Sequence, residues 1–139
     1  MSEQENLKVV QEAYDAFKRG DIPTVLSKMT DDVQWAIPGP PGIAVAGQRH
    51  GAHQVAEFFK TLGEEQEPQE FAPREFIPKN DKVIVLGHFR WLVKRTGRIL
   101  ESDWVHVFTL RDGKVASFQE YSDSARLVEA YGSAAAASR

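Results

Sequence analysis

Glu101-Ser-Asp-Trp-Val-His-Val-Phe-Thr-Leu110, Arg111-Asp-Gly113 and Lys114-Val-Ala-Ser-Phe-Gln-Glu-Tyr-Ser-Asp123 form the stretch whose reading decides the fold. Two runs of β-branched and aromatic residues flank a turn signal, so the stretch reads as strand, turn, strand. The turn has two solutions. Asp112-Gly113 alone makes a two-residue hairpin, in which Arg111 faces Lys114 and His106 faces Gln119, sending Glu120 to the face opposite His106. Arg111-Asp112-Gly113 makes a three-residue loop with Gly113 at a bulge, in which Leu110 faces Lys114, His106 faces Phe118 and Trp104 faces Glu120. One face then collects Ser102, Trp104, His106, Phe108, Phe118, Glu120 and Ser122; the other collects Asp103, Val105, Val107, Thr109, Gln119 and Tyr121. The three-residue loop is preferred because it gathers the large aromatics and the ionisable pair in one place. The two-residue turn stays open.

Outward from this hairpin, Ser124 to Tyr131 suits a turn of helix, and residues 132–139, with four alanines, suit a frayed tail. On the N-terminal side, Lys82 to Arg95 alternates over its whole length. Val83, Val85, Gly87, Phe89, Trp91 and Val93 share one side; Ile84, Leu86, His88, Arg90, Leu92 and Lys94 share the other. Both sides are partly apolar, so one is expected to bury the core and the other to meet a partner subunit, giving a homodimer. Asn80-Asp81 and Thr96-Gly97 are turn signals. Glu70 to Pro78 carries Pro73, which suits an edge strand. Glu64 to Glu70 reads as an acidic linker.

Helical spacing precedes these strands. Val10, Tyr14 and Phe17 recur over Asn6 to Arg19, and Gly20 suits the stop. Asp21 caps a shorter helix with Pro23 in its first turn and Val25, Leu26 and Met29 within it. Thr30-Asp31-Asp32 ends that helix, and Val33, Trp35 and Ile37 mark a short strand. Pro38 to Gly51 is a long loop, read either as a pocket wall or lid or as a rigid surface excursion. Ala52 to Leu62, with Val55, Phe58, Phe59 and Leu62 on its apolar side, is a third helix. The expected fold is α+β: a strongly curved antiparallel or mixed sheet packed against three N-terminal helices, a cone enclosing a pocket.

Composition narrows the function. At 139 residues, 42% of them apolar and 27% charged, one globular domain over 1–139 with an adequate core is expected. A net charge of -3 argues against nucleic acid and anionic membranes as partners. With no cysteine, thiolate chemistry and disulfides are excluded. The polar N-terminus has no signal-peptide pattern and the chain no bilayer-length apolar run, so a cytoplasmic location is expected.

Several motifs resemble the nuclear transport factor 2-like superfamily, and within it the SnoaL-like and ketosteroid isomerase-related proteins. They are Val9-Val10-Gln11 through Gly20-Asp21, Asp31-Asp32-Val33-Gln34-Trp35 with Pro38-Gly39, Gly51 with Phe58-Phe59, and Arg111-Asp112-Gly113-Lys114-Val115 followed by Phe118, Glu120-Tyr121 and Asp123. The likeness spans about residues 7–128 and implies a cone-shaped fold with an internal pocket. It specifies the reaction poorly, because the superfamily hosts many activities. Ketosteroid isomerase chemistry does not carry over: Ile37 stands where that enzyme has its basic aspartate, His106 where it has a protonated aspartate, and Ala13 where it has a tyrosine. Tyr14 is one position away, turned by about 100° in a helix. The SnoaL-like cyclases match better, with their acid/base carboxylate at Glu120. That chemistry implies neither metal nor organic cofactor.

The residues support the same focus. Glu120 between Phe118 and Ser122 is desolvated if inward, and a His106–Glu120 pair would titrate as one unit. The competing reading is a polar pair that fixes register, or Glu120 bonded to Arg90 or Arg98. Tyr14, Phe17, Trp35, Phe59, Phe89, Trp91, Trp104 and Phe118 are the candidate ligand contacts, each indole offering area and a donor. Ordinary core filling is the competing reading for any one tryptophan, and a hydroxyl at the pocket rim for Tyr14. His50 and His53 lack a carboxylate cluster, so no metal site is expected. The leading expectation is an isomerase- or cyclase-type protein that binds a small apolar or aromatic carbonyl compound, with Glu120 and His106 as its acid/base pair. A non-catalytic ligand-binding or protein-association module is the alternative. An epoxide hydrolase-like enzyme comes third, since it wants more carboxylates than the inward pattern supplies.

Overall fold

The computed structural model describes residues 2–132. The expected frayed tail therefore lies outside the described residues, except for Gly132. The order is α1 (Glu3–Lys18), α2 (Ile22–Ser27), β1 (Met29–Ile37), β2 (Gly47–His50), α3 (Ala52–Glu65), β3 (Gln66–Lys79), β4 (Lys82–Val93), β5 (Arg98–Arg111), β6 (Lys114–Ser122) and α4 (Ser124–Ala130). The six strands form one curved mixed sheet in the order β2-β1-β6-β5-β4-β3. Among the described residues, only the β1–β6 pairing is parallel. The fold is α+β, as the hydrophobic periodicities predict.

The β5–β6 turn corrects the preferred sequence reading. Arg111 pairs with Lys114, so the turn has two central residues, Asp112 at φ 52° and Gly113 at φ 79°. Positive φ at both is the mirror-image turn that matches strand twist, and Asp-Gly supplies it at low cost. The shared face nevertheless exists, because the register shifts between Leu110↔Val115 and Thr109↔Ser117. Ala116 is the extra residue, a bulge that reverses the alternation of β6. Beyond it Phe108 faces Phe118, His106 faces Glu120 and Trp104 faces Ser122, rather than the pairings of the three-residue loop.

Other boundaries moved for local reasons. Ser2 and Glu5 form a reciprocal capping box, so α1 starts earlier than Asn6; the Ser-Glu-Gln-Glu signature was available. Met29 to Asp32 belong to β1 rather than to a helix end, since Met29 pairs with Val115. Gly63 does not stop α3, and the acidic stretch is the end of α3 and the start of β3 rather than a linker. β3 runs along the sheet edge through Pro68, Pro73 and Pro78, absorbing two register shifts. The long loop holds the short edge strand β2. Ile43 and Val45 are buried, and Arg49 donates to the carbonyls of Ala44, Val45 and Ala46, so this segment is a built wall.

α1, α2 and α3 send Val10, Tyr14, Val25, Val55 and Phe58 onto the inner face of the sheet. That face carries the inward alternation of β4 and β5, from Val83 to Val93 and from Leu100 to Leu110. α4 covers the end of the sheet. Its last carbonyls accept from Arg98, Thr96 and Arg95, so the β4–β5 turn caps it.

One close approach fixes the interior. Gly87 pairs with Trp104, and a Cβ at Gly87 would sit 2.2 Å from Trp104 Cζ2. The indole lies across the glycine. Gly87→Ala is expected to lower stability by about 1–3 kcal/mol through overpacking. Urea unfolding followed by tryptophan fluorescence measures this, and an unchanged midpoint contradicts it.

Candidate functional site

Alternation along β5 and β6 brings His106 and Glu120 opposite each other on the inner face, and α1 brings Tyr14 over them. His106 Nε2 lies 2.9 Å from Glu120 Oε1. Tyr14 Oη lies 2.7 Å from His106 Nδ1. Ser122 Oγ donates to Glu120 Oε2 at 3.0 Å. Four side chains thus form one hydrogen-bonded chain. The sequence comparison turned Tyr14 away from this position and the core reading put its hydroxyl at the rim; it is instead buried, because α1 presents both Ala13 and Tyr14 to the interior. Glu120 bonds to His106 and Ser122, not to Arg90 or Arg98.

Acceptor and donor rules set the protons. Burial pushes the His106 imidazole below its ordinary range, against the opposing pull of Glu120. Neutral His106 keeps its hydrogen on Nε2, facing the carboxylate, and Nδ1 accepts from the Tyr14 hydroxyl. Burial, and then the charge of Glu120, holds the Tyr14 phenol well above its ordinary range, so it remains a donor. Trp104 stacks on the imidazole with centroids 3.8 Å apart and planes at 17°, and Phe71 stacks on Trp104 at 5.4 Å. These layers hold the imidazole plane.

The chain opens onto a cavity of about 120 Å³. Tyr14, Phe17, Trp35, Phe59, Phe89, Trp91 and Phe118 line it with His106 and Glu120. Trp104 does not line it. It lies behind His106, over Gly87, and supports the imidazole rather than the cavity surface. The Nε1 groups of Trp35 and Trp104 are buried without a partner among the described residues, so these indoles supply area but no accessible donor. Residues absent from the sequence-based set also line the cavity: Phe71, Gln66 and Asp123. Prolines interrupting the alternation hid Phe71, and the acidic run read as a linker hid Gln66. Asp123 caps α4 through Ala125 and Arg126. Pockets for drug-sized ligands measure roughly 300–1,000 Å³, so this space suits a compact molecule.

The outer face of the sheet holds a second histidine in the opposite state. His88 Nδ1 lies 2.8 Å from Asp103 Oδ1, and Nε2 lies 2.7 Å from Glu101 Oε2. Both nitrogens must donate, so the ring is an imidazolium. Hydrogen bonds to Asp103 and then Glu101 raise its pKa. The carboxylates sit on opposite edges of the ring and do not converge on one point. Among the described residues, no group of three His, Asp or Glu side chains is placed to hold a metal ion. His53 pairs with Glu57, and His50 with Gln34. No helix of the described residues is long and apolar enough to cross a membrane.

The two histidines carry opposite pH signs. The folded value of His106 lies below the unfolded value of about 6.5; as pH falls past that point the unfolded chain binds the proton first, and stability is lost. The folded value of His88 lies above about 6.5; its contribution is present below that pH and is lost as pH rises through the folded value. Imidazole nitrogen NMR near pH 6.5 is expected to show neutral His106 with its proton on Nε2, beside cationic His88. A charged His106 or a neutral His88 at that pH contradicts the assignment.

Comparison with known proteins agrees with this geometry. A nuclear transport factor 2-like protein from Burkholderia xenovorans LB400 is 35% identical, with TM-score 0.85 over 94% of this chain and 98% of its own. A second, of unknown function, from Burkholderia pseudomallei K96243 is 32% identical, with TM-score 0.80 over 93% and 97%. TerC, co-crystallised with polyporic acid, is 30% identical, with TM-score 0.80 over 93% of this chain and 99% of its own. A search of curated protein sequences found no significant match. The sequence profile of the SnoaL-like domain matches residues 10–118, most of the chain. The chain belongs to the SnoaL-like family of the nuclear transport factor 2-like superfamily.

Proposed function

We propose that this protein binds a compact apolar or aromatic carbonyl compound in the cone and moves a proton beside the carbonyl, as an isomerase- or cyclase-type enzyme. The observation that carries the reading is the hydrogen-bonded chain Tyr14–His106–Glu120, set in the wall of an otherwise largely apolar cavity. Glu120 takes a proton from the carbon next to the carbonyl and returns it to the product. On ligand binding the Tyr14 hydroxyl turns its one hydrogen from His106 Nδ1 to the developing negative charge on oxygen. The apolar walls keep water out, which strengthens each of these interactions. The step moves only a proton, so the chain's own residues suffice for it. Co-crystallisation of the relative TerC with polyporic acid supports a small organic ligand in this cavity.

The second reading is a ligand-binding module without turnover. It is favoured by the two donors that already occupy the oxygens of Glu120. One measurement separates them. Deuterium incorporation next to the carbonyl of 2-acetylnaphthalene in heavy water, followed by NMR, should be accelerated by the wild type. Glu120→Gln should lower that acceleration by about 10²–10⁴-fold while ligand still binds. Binding without any accelerated exchange in the wild type leaves the module reading standing.

We also propose that a second copy of the chain covers the outer face of the sheet. Tyr121 there is 58% exposed and Ile99 40% exposed, beside the half-buried Ile84, Leu86, Val105 and Val107. Sedimentation should show a dimer for the wild type and a shift towards monomer for Tyr121→Glu. A monomeric wild type contradicts the proposal.

A further inference from the structure

The cavity has a second polar point, remote from Glu120. Gln66, the first residue of β3, lines the cavity and is 4% exposed. It pairs with Val93, and Val93 pairs with Arg98 at the start of β5, whereas Glu120 pairs with His106 further along that strand. The lining that β4, β5 and α4 contribute near Gln66 is apolar, with Trp91, Leu100 and Leu127.

Its hydrogen bonds identify the two ends of the amide. Tyr131 Oη lies 2.9 Å from Glu65 Oε1, and a carboxylate only accepts, so the phenol donates its one hydrogen there. The phenol oxygen is then left as an acceptor, and the Gln66 group 2.8 Å away is the N–H side, Nε2. Tyr131 is itself held in place: it caps α4, and its carbonyl accepts from Arg95 at 2.9 Å. Burial holds its phenol well above the ordinary range, so it keeps the hydrogen it donates. Gln66 Oε1 is thereby an acceptor, and no donor meets it among the described residues. Gln66 Oε1 is not among the enclosed, unpartnered polar atoms of the described residues, so it keeps access to the cavity that the residue lines, where a ligand donor can meet it.

We propose that Gln66 determines ligand specificity: its Oε1 accepts a hydrogen bond from a hydroxyl or N–H at the end of the ligand remote from the carbonyl. The ligand class is a flat apolar ketone carrying a hydrogen-bond donor at its far end. The assignment rests on the reading that the cavity holds such a ketone.

A matched pair of probes tests it, 2-acetyl-6-hydroxynaphthalene against 2-acetyl-6-methylnaphthalene. Affinities come from titration calorimetry on the wild type, Gln66→Met and Tyr131→Phe. The wild type should prefer the hydroxyl compound by about tenfold, one buried hydrogen bond. Gln66→Met should erase that preference with little effect on the methyl compound. Tyr131→Phe removes the support but not the acceptor, so any loss should fall on both probes and leave the preference. A role for Gln66 confined to docking α4 predicts equal losses for both probes in both variants. No preference in the wild type overturns the assignment even if Gln66→Met does not fold, and so does a preference that survives Gln66→Met. Failure of both probes to bind the wild type removes the cavity reading itself, a different result from binding without preference.

Discussion

The pairing of His106 with Glu120 across β5 and β6 depends on one extra residue. A two-residue turn at Asp112-Gly113 sets one phase of alternation, with Arg111 opposite Lys114. Continued unchanged, that phase would turn Glu120 to the outer face. Ala116 interrupts it, and the strand leaves the bulge with Phe118, Glu120 and Ser122 pointing inward. Val115 and Phe118 are both buried for the same reason, three residues apart where an unbroken strand would place them on opposite faces. β1 follows the irregularity: its parallel register with β6 shifts between Met29 and Gln34, next to the bulge.

Around that pair the interior is built in layers. Phe71, Trp104 and His106 stack, Tyr14 closes the far nitrogen, and Gly87 gives the indole room to lie flat. A neutral imidazole between a carboxylate and a phenol has each hydrogen assigned by what its neighbours are able to accept. The outer face reverses these terms. His88 lies between Glu101 and Asp103 near solvent, so its ring carries charge. The same residue type takes opposite protonation states on the two faces of one sheet, because burial dominates inside and carboxylates dominate outside.

Much of this was legible in residues. Val83 to Val93 alternated without interruption, and its inner side is the buried side. The helical spacing of Val10, Tyr14 and Phe17 placed α1, and Val55 with Phe58 placed α3. The inward set on the hairpin also emerged, although the turn assumed for it was a different one. Boundaries failed where local chemistry was ambiguous. Thr30-Asp31-Asp32 has weak strand propensity and is held in β1 by its neighbours. Prolines broke the alternation of β3, so Phe71 could not be assigned a side, and Gln66 lay in an acidic run that reads as a linker. Trp104 shared a face with the cavity residues but lies behind one of them, a difference of depth that alternation does not encode.

The sequence by itself determined the α+β class, the alternation along β4 and β5 and the candidacy of His106 and Glu120, and it left two turns open between the strands of the hairpin. Periodicity and turn chemistry are local properties, and they survive in a one-dimensional pattern. Only the tertiary structure decided that Ala116 bulges, that Tyr14 meets His106 and that Gln66 keeps an unpartnered oxygen on the cavity. Each of these depends on how segments far apart in sequence approach one another, and packing selects among alternatives that local patterns leave equal.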